Sequence, residues 1–397
     1  MIKNQKLIDR FFKYVKIDTQ SSEESTTSPS TMKQHDLAKV LKAELEEMGA
    51  SEIVYDEEHC YIYACIPGEK PAIGFIAHMD TSPAVSGANV KPRIIENFDG
   101  NDSLLKTEEY PELLNHFGED IIATDGTTLL GADDKAGVAE IMQMAEYFLT
   151  HPEIKHREIR IAFTPDEEIG AGTEYFDIER FGAPEAYTVD GGKLGVIEYE
   201  NFNAAAAKVH VHGKSVHPGS AKGIMKNALE MAMEFNAMLP SNEKPEYTEG
   251  YEGFYFLESM KGDVESAELS YIIRDHDRDI FEKRKEMIEK IAAFLNMREG
   301  EGSFEVEIRD QYYNMVTIMK DHMELIENAK KAFEKLGVNA VSEPIRGGTD
   351  GAMLTLRGLP CPNLCTGGYN YHGRYEYASV QEMEKCSDAL IEIAKML

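Results

Sequence analysis

Residues 72–80, AIGFIAHMD, decide the fold class: a short apolar run that reads as a buried strand and stops at His78 and Asp80. Two more runs share this design. REIRIAFTPDEE (157–168) ends in Asp166, Glu167 and Glu168, and AYTVDGG (186–192) carries Asp190 at its end. Helical patterns alternate with these strands up to about Asn203, which predicts an α/β domain with a mixed central sheet flanked by helices. In open α/β sheets ligands bind beyond the carboxyl ends of the strands, so three polar strand ends are expected to converge on one crevice.

Working outward, the rhythm changes over residues 204–314. AAAAKVHVHG reads as a strand and KGIMKNALEMAMEFNAML as a helix. EGFYFLESMKG and SAELSYIIRD follow as two strands, DIFEKRKEMIEKIAAFLN as a helix and SFEVEIRDQYY as a strand. The order βαββαβ is the ferredoxin-like pattern, self-contained enough to form an inserted α+β lid or dimerisation domain. The catalytic α/β domain is therefore expected in two parts, 1–203 and 315–397. Its second part holds the amphipathic MKDHMELIENAKKAFEKLG, the glycine-rich PIRGGTDGAM, CPNLCTGG, and a last helix opened by a capping box from Ser379 to Glu382.

Charge and cysteine usage narrow the function classes. The 397 residues contain 41 Lys+Arg against 71 Asp+Glu, a net charge of −30, which repels nucleic-acid backbones and anionic lipid surfaces. No segment reaches the apolar length of a membrane span, and the start reads as an amphipathic helix without a signal peptide. The expectation is a cytoplasmic protein with no nucleic-acid or membrane partner. Five cysteines cannot all pair, and Cys60 and Cys65 read as strand residues, so reduced buried thiols are expected.

The polar strand ends carry the chemistry. His78 and Asp80 form H-x-D, a spacing in which a carboxylate can hold the second nitrogen of a metal-binding imidazole. Asp133 and Asp134, in LLGADDKAG, precede a helix and would also serve as caps. Adjacent Glu167 and Glu168 repel one another unless solvated or holding a cation, and such a pair can divide into ligand and base. His372 lies in YNYHGRYEY. Two histidines among carboxylates form a mixed N/O donor set suited to zinc, cobalt or manganese.

The ordered motifs GFIAHMDT, LLGADDKAG, AFTPDEE, YTVDGG, VHPG, PIRGGTDG and TGGYNYHG resemble the two-domain co-catalytic zinc exopeptidases, which include carboxypeptidase G and succinyl-diaminopimelate desuccinylase. YEGFYFLESMKG and YIIRD resemble its aminotripeptidase branch. The resemblance implies two Zn2+ per chain, replaceable by Co2+ or Mn2+, with His78 and Asp190 on one ion, Glu168 and His372 on the other, and Asp133 bridging. It implies Asp80 as the acid orienting His78 and Glu167 as the general base acting on a metal-bridging water. His217, in SVHPG, matches a histidine that reaches the substrate carbonyl, and Arg346 resembles a residue that grips the peptide carboxylate. The implied activity is release of the N-terminal residue from tripeptides. A related dipeptidase, carboxypeptidase or N-acyl amino-acid deacylase shares the centre, and a non-catalytic metal-holding protein is the alternative from another class. A homodimer through the inserted domain is compatible with this reading.

Overall fold

The computed structural model describes residues 2–397. They divide into two compact units: residues up to Tyr199 with Thr317–Glu343 and Thr349–Leu397, and Glu200–Val316 with Pro344–Gly348.

The first unit is built on an eight-stranded mixed sheet. Its strand order is Ser51–Asp56, Tyr61–Ile66, Arg157–Thr164, Glu69–His78, Ala186–Gly191, Asn363–Cys365, Val196–Glu198 and Val341–Ser342. Glu69–His78 runs parallel to both Arg157–Thr164 and Ala186–Gly191, so their carboxyl ends lie on one side, with His78 paired to Thr164. The last seven residues of Glu69–His78 are buried, as a strand covered on both faces requires. Ile76 packs with Tyr61, Phe176, Phe181 and Leu354 in one cluster, while Phe75 stacks on Tyr187. The helix Ala132–Thr150 packs against both Gln5–Val15 and Val380–Ala394. Gly137 lets Ala132–Thr150 approach the sheet: a Cβ there would fall 1.8 Å from the carbonyl oxygen of Val189.

Beside this sheet, Gly368–Tyr369, Tyr377–Ser379, Ile121–Ala123 and Arg93–Ile95 form a small antiparallel sheet absent from the sequence reading. It positions the loop that carries His372. The capping box is half made: Ser379 Oγ accepts the Glu382 N–H at 3.3 Å, but the Glu382 carboxylate accepts the Tyr369 hydroxyl instead. All five cysteines are free and buried. Cys60 corrects the strand expectation, because it sits at φ 64° in the turn before Tyr61–Ile66.

The second unit has the order βαββαβ. Phe254–Gly262, Ser266–Asp275, Asn203–His212 and Phe304–Tyr312 form an antiparallel sheet in that spatial order. Strict alternation of buried and less buried residues along Ser266–Asp275 marks one covered face. Ala228–Ala237 and Arg278–Glu299 cover it through Phe235, Phe281, Ile288 and Leu295. The observed boundaries differ from 204–314. Asn201 binds the chain at Tyr313 and Asn314, extending the unit at both ends, and the Ile345 N–H donates to the Glu200 carbonyl at 2.8 Å, drawing in Pro344–Gly348.

Candidate metal centre

His78 ends its strand nearly fully buried. Its Nδ1 lies 3.1 Å from the Asp80 carbonyl oxygen and 3.3 Å from Asp80 Oδ1. Asp80 thereby sets the ring orientation, and Nε2 faces Asp133 Oδ1 at 2.8 Å and Asp190 Oδ1 at 3.4 Å. The other Asp133 oxygen, Oδ2, lies 3.1 Å from His372 Nε2, which also meets Glu168 Oε2 at 2.8 Å. One carboxylate is thus shared between two histidines, and each histidine faces a further carboxylate of its own.

The acidic turn after Thr164 is held from beneath. Asp166, at φ 54°, accepts hydrogen bonds from the Ser30 backbone and hydroxyl and from Gln34 Nε2. Asp80 accepts the backbone N–H groups of Glu167 and Glu168 at 3.0 and 3.2 Å. A single buried carboxylate therefore fixes the His78 ring and the Glu167–Glu168 turn together.

Burial dominates the electrostatics. Desolvation and the neighbouring Asp190 charge push the Glu167 carboxyl well above its usual range. Desolvation, partly offset by His78, pushes Asp190 up to about 7. His372 is raised to about 10 by its hydrogen bonds to Asp133 and Glu168. For Asp133, desolvation is outweighed by hydrogen bonds from His372 and His78, which hold the carboxyl low. Glu168 Oε1 is buried without a hydrogen-bond partner. Excess buried carboxylate, an orphaned acid oxygen and two imidazoles fit a cation-holding centre. The groups His78–Asp133–Glu168 and His78–Asp134–Asp190 each bring their ligand atoms within 4.8 Å of one another. A cleft lined by Ser21, Ser22, Ser82, Glu168 and His372 opens beside them.

His217 and Arg346 lie in the other unit. His217 is exposed, and its Nδ1 accepts the Gly219 N–H at 3.1 Å, leaving the ring proton on Nε2. Arg346 donates to the carbonyls of Gly250, Glu252 and Thr248 and to Thr248 Oγ1. Its guanidinium lies over Phe202 and Phe254.

Two acids, Asp350 and Glu376, are not singled out by the sequence, which gives Asp134 only as a helix cap. Asp134 accepts the backbone N–H groups of His78 and Gly137, both at 3.2 Å, tying strand end to helix. Asp350, in the glycine-rich turn, is buried and accepts the Thr164 hydroxyl at 2.7 Å. Glu376 accepts the N–H groups of Leu130, Gly131 and Asp133. A carboxylate among aromatics, as in Tyr375-Glu376-Tyr377, was the available signal, since buried acids persist only with partners.

Residues 199–303 match the peptidase dimerisation domain. With the α/β unit that it interrupts, this defines a peptidase, a hydrolase with an inserted dimerisation domain. The chain belongs to the peptidase T family: the peptidase T of Alkaliphilus oremlandii is 50% identical over 98% of this chain and 98% of its own. The fold is also that of the aminopeptidase PepT of Bacillus cereus, at TM-score 0.78 and 24% identity over 99% of this chain and 98% of that one. A dinuclear metal-binding peptidase of the M20 family from Bacillus subtilis has the same fold at TM-score 0.66 and 15% identity, covering 98% of this chain and 97% of that one.

Proposed function

We propose that this peptidase is a two-zinc tripeptide aminopeptidase, with Co2+ or Mn2+ able to replace zinc. The observation that carries this reading is the sharing of Asp133 between His78 and His372, because one carboxylate with two flanking donor sets is the ligand pattern of a paired centre. His78 and Asp190 would hold one ion, Glu168 and His372 the second, and Asp133 both. Bound there, the ions supply Lewis acidity toward the scissile carbonyl and make water a stronger acid.

The protein's own groups do the rest. Glu167 takes the proton of the attacking water and delivers it to the leaving nitrogen, a task favoured by a carboxyl pKa raised by burial. Asp80 keeps Glu167 and His78 in register through the bonds described above. His217, protonated on Nε2, donates to the carbonyl oxygen as negative charge develops. Arg346 binds the carboxylate of the tripeptide.

The same reading includes a cytoplasmic location and a homodimer through the inserted unit. Among the described residues no helix is long and apolar enough to cross a membrane. Hydrolysis of free and N-acetylated di-, tri- and tetrapeptides with added zinc tests the activity. Free tripeptides should be cleaved fastest, releasing the N-terminal residue; faster cleavage of N-acetylated substrates would assign a deacylase instead.

A further inference from the structure

Asp133 stands where regular structure does not hold it. Gly131 is left-handed at φ 81°, and Asp133 (φ −83°, ψ 103°) and Asp134 (φ −121°, ψ 34°) are both non-helical. The Lys135 N–H reaches the Gly131 carbonyl at 3.2 Å, but the N–H groups before it need other partners. Glu376 accepts three of them. Its Oε2 accepts Leu130 and Gly131 N–H at 2.7 and 2.8 Å, and its Oε1 accepts Asp133 N–H at 3.1 Å. The side chain is buried, at 1% exposure, so these bonds face no competition from water. His372, four residues earlier in the same loop, meets the Asp133 carboxylate. One loop therefore grips Asp133 at backbone and side chain together.

We propose that Glu376 is a positioning residue of the metal centre, fixing the 130–133 backbone from which Asp133 reaches both histidines. The proposal rests on the reading of Asp133 as a shared ligand. Glu376→Gln in the full chain keeps the shape but turns an amide N–H toward backbone N–H donors.

Outer partners of metal ligands typically contribute about 10–100-fold in affinity, so zinc affinity, measured by competition with a chromophoric chelator, should fall by about that factor. The visible spectrum of the cobalt-loaded protein should change with it. Phe148→Leu, in the core at the far end of the same helix, serves as a comparison that lowers stability while leaving zinc affinity at the wild-type value. Wild-type affinity and spectrum in Glu376→Gln would overturn the proposal. So would equal weakening in both variants, which would reduce Glu376 to general stability. Wild-type protein that takes up no zinc would overturn the metal reading itself and this proposal with it. Should Glu376→Gln not fold, amide hydrogen exchange on the wild type decides: Leu130, Gly131 and Asp133 should be protected, and rapid exchange there overturns the proposal.

Discussion

Asp133 and Arg346 are candidate site residues of the two units, and they are held in opposite ways. Both oxygens of Asp133 meet histidines, and Glu376 holds its backbone from a segment more than two hundred residues away. Arg346 donates to the carbonyls of a single loop of its own unit, meets no carboxylate among the described residues, and lies over two aromatic rings. His217 likewise has a backbone partner and no carboxylate, its Nδ1 accepting the N–H of Gly219 two residues on. In the α/β unit the groups depend on one another and carry an excess of buried acid. In the inserted unit Arg346 is already satisfied by backbone carbonyls, so a substrate carboxylate would have to compete for it, whereas His217 keeps Nε2 to offer. The contrast separates a rigid centre, where small displacements cost much, from an adaptable surface, where they cost little.

The strongest attempt to break the contrast is metal removal. A strong chelator should abolish hydrolysis, and zinc or cobalt should restore it; full activity of metal-free protein would mean that the buried cluster is not the reacting centre. Next, Glu167→Gln should lower kcat by about 10²–10⁴-fold with metal content unchanged. Glu168→Gln should instead lower metal content, with activity partly recovered at high metal concentration. Metal analysis of both variants distinguishes these outcomes, and the opposite pattern would exchange the two roles.

The inserted unit has a rigid element of its own, which sharpens the comparison. Arg284 Nε donates to Asp275 Oδ2 at 2.7 Å, and both side chains are buried. Asp275→Ala should cost about 1–3 kcal/mol in the unfolding of that unit, because buried Arg284 loses one charged partner and keeps only the partly exposed Glu243. Metal content should not change, and thermal unfolding followed with metal analysis checks both. The smallest effect is expected at Arg346. Its donors are engaged and partly exposed, so Arg346→Ala should slow tripeptides only a few-fold more than tripeptide amides, given up to about 1 kcal/mol for an exposed ion pair. Equal losses for acid and amide would remove the carboxylate-binding role.

Much of the architecture was legible locally. The buried runs ending at His78, Thr164 and Asp190 are strands because unbroken apolar stretches must be covered on both faces, and parallel pairing then puts their polar ends on one side. The βαββαβ insert was legible for the same reason, since periods of two and 3.6 residues are written into adjacent side chains. Partnership between distant segments was not. Glu376 on Leu130, Asp80 on Glu167 and Asp134 on His78 depend on backbone N–H groups, which every residue except proline offers, so no side-chain pattern announces them. Pro344–Gly348 likewise joins the inserted unit through a backbone bond from Ile345 to Glu200. The sequence by itself determined the main strands and helices of both units and which acids and histidines stand at the ends of the buried strands. Tertiary structure alone decided which unpaired backbone group each buried carboxylate would satisfy, because burial makes that pairing obligatory and only the packed chain brings the partners together.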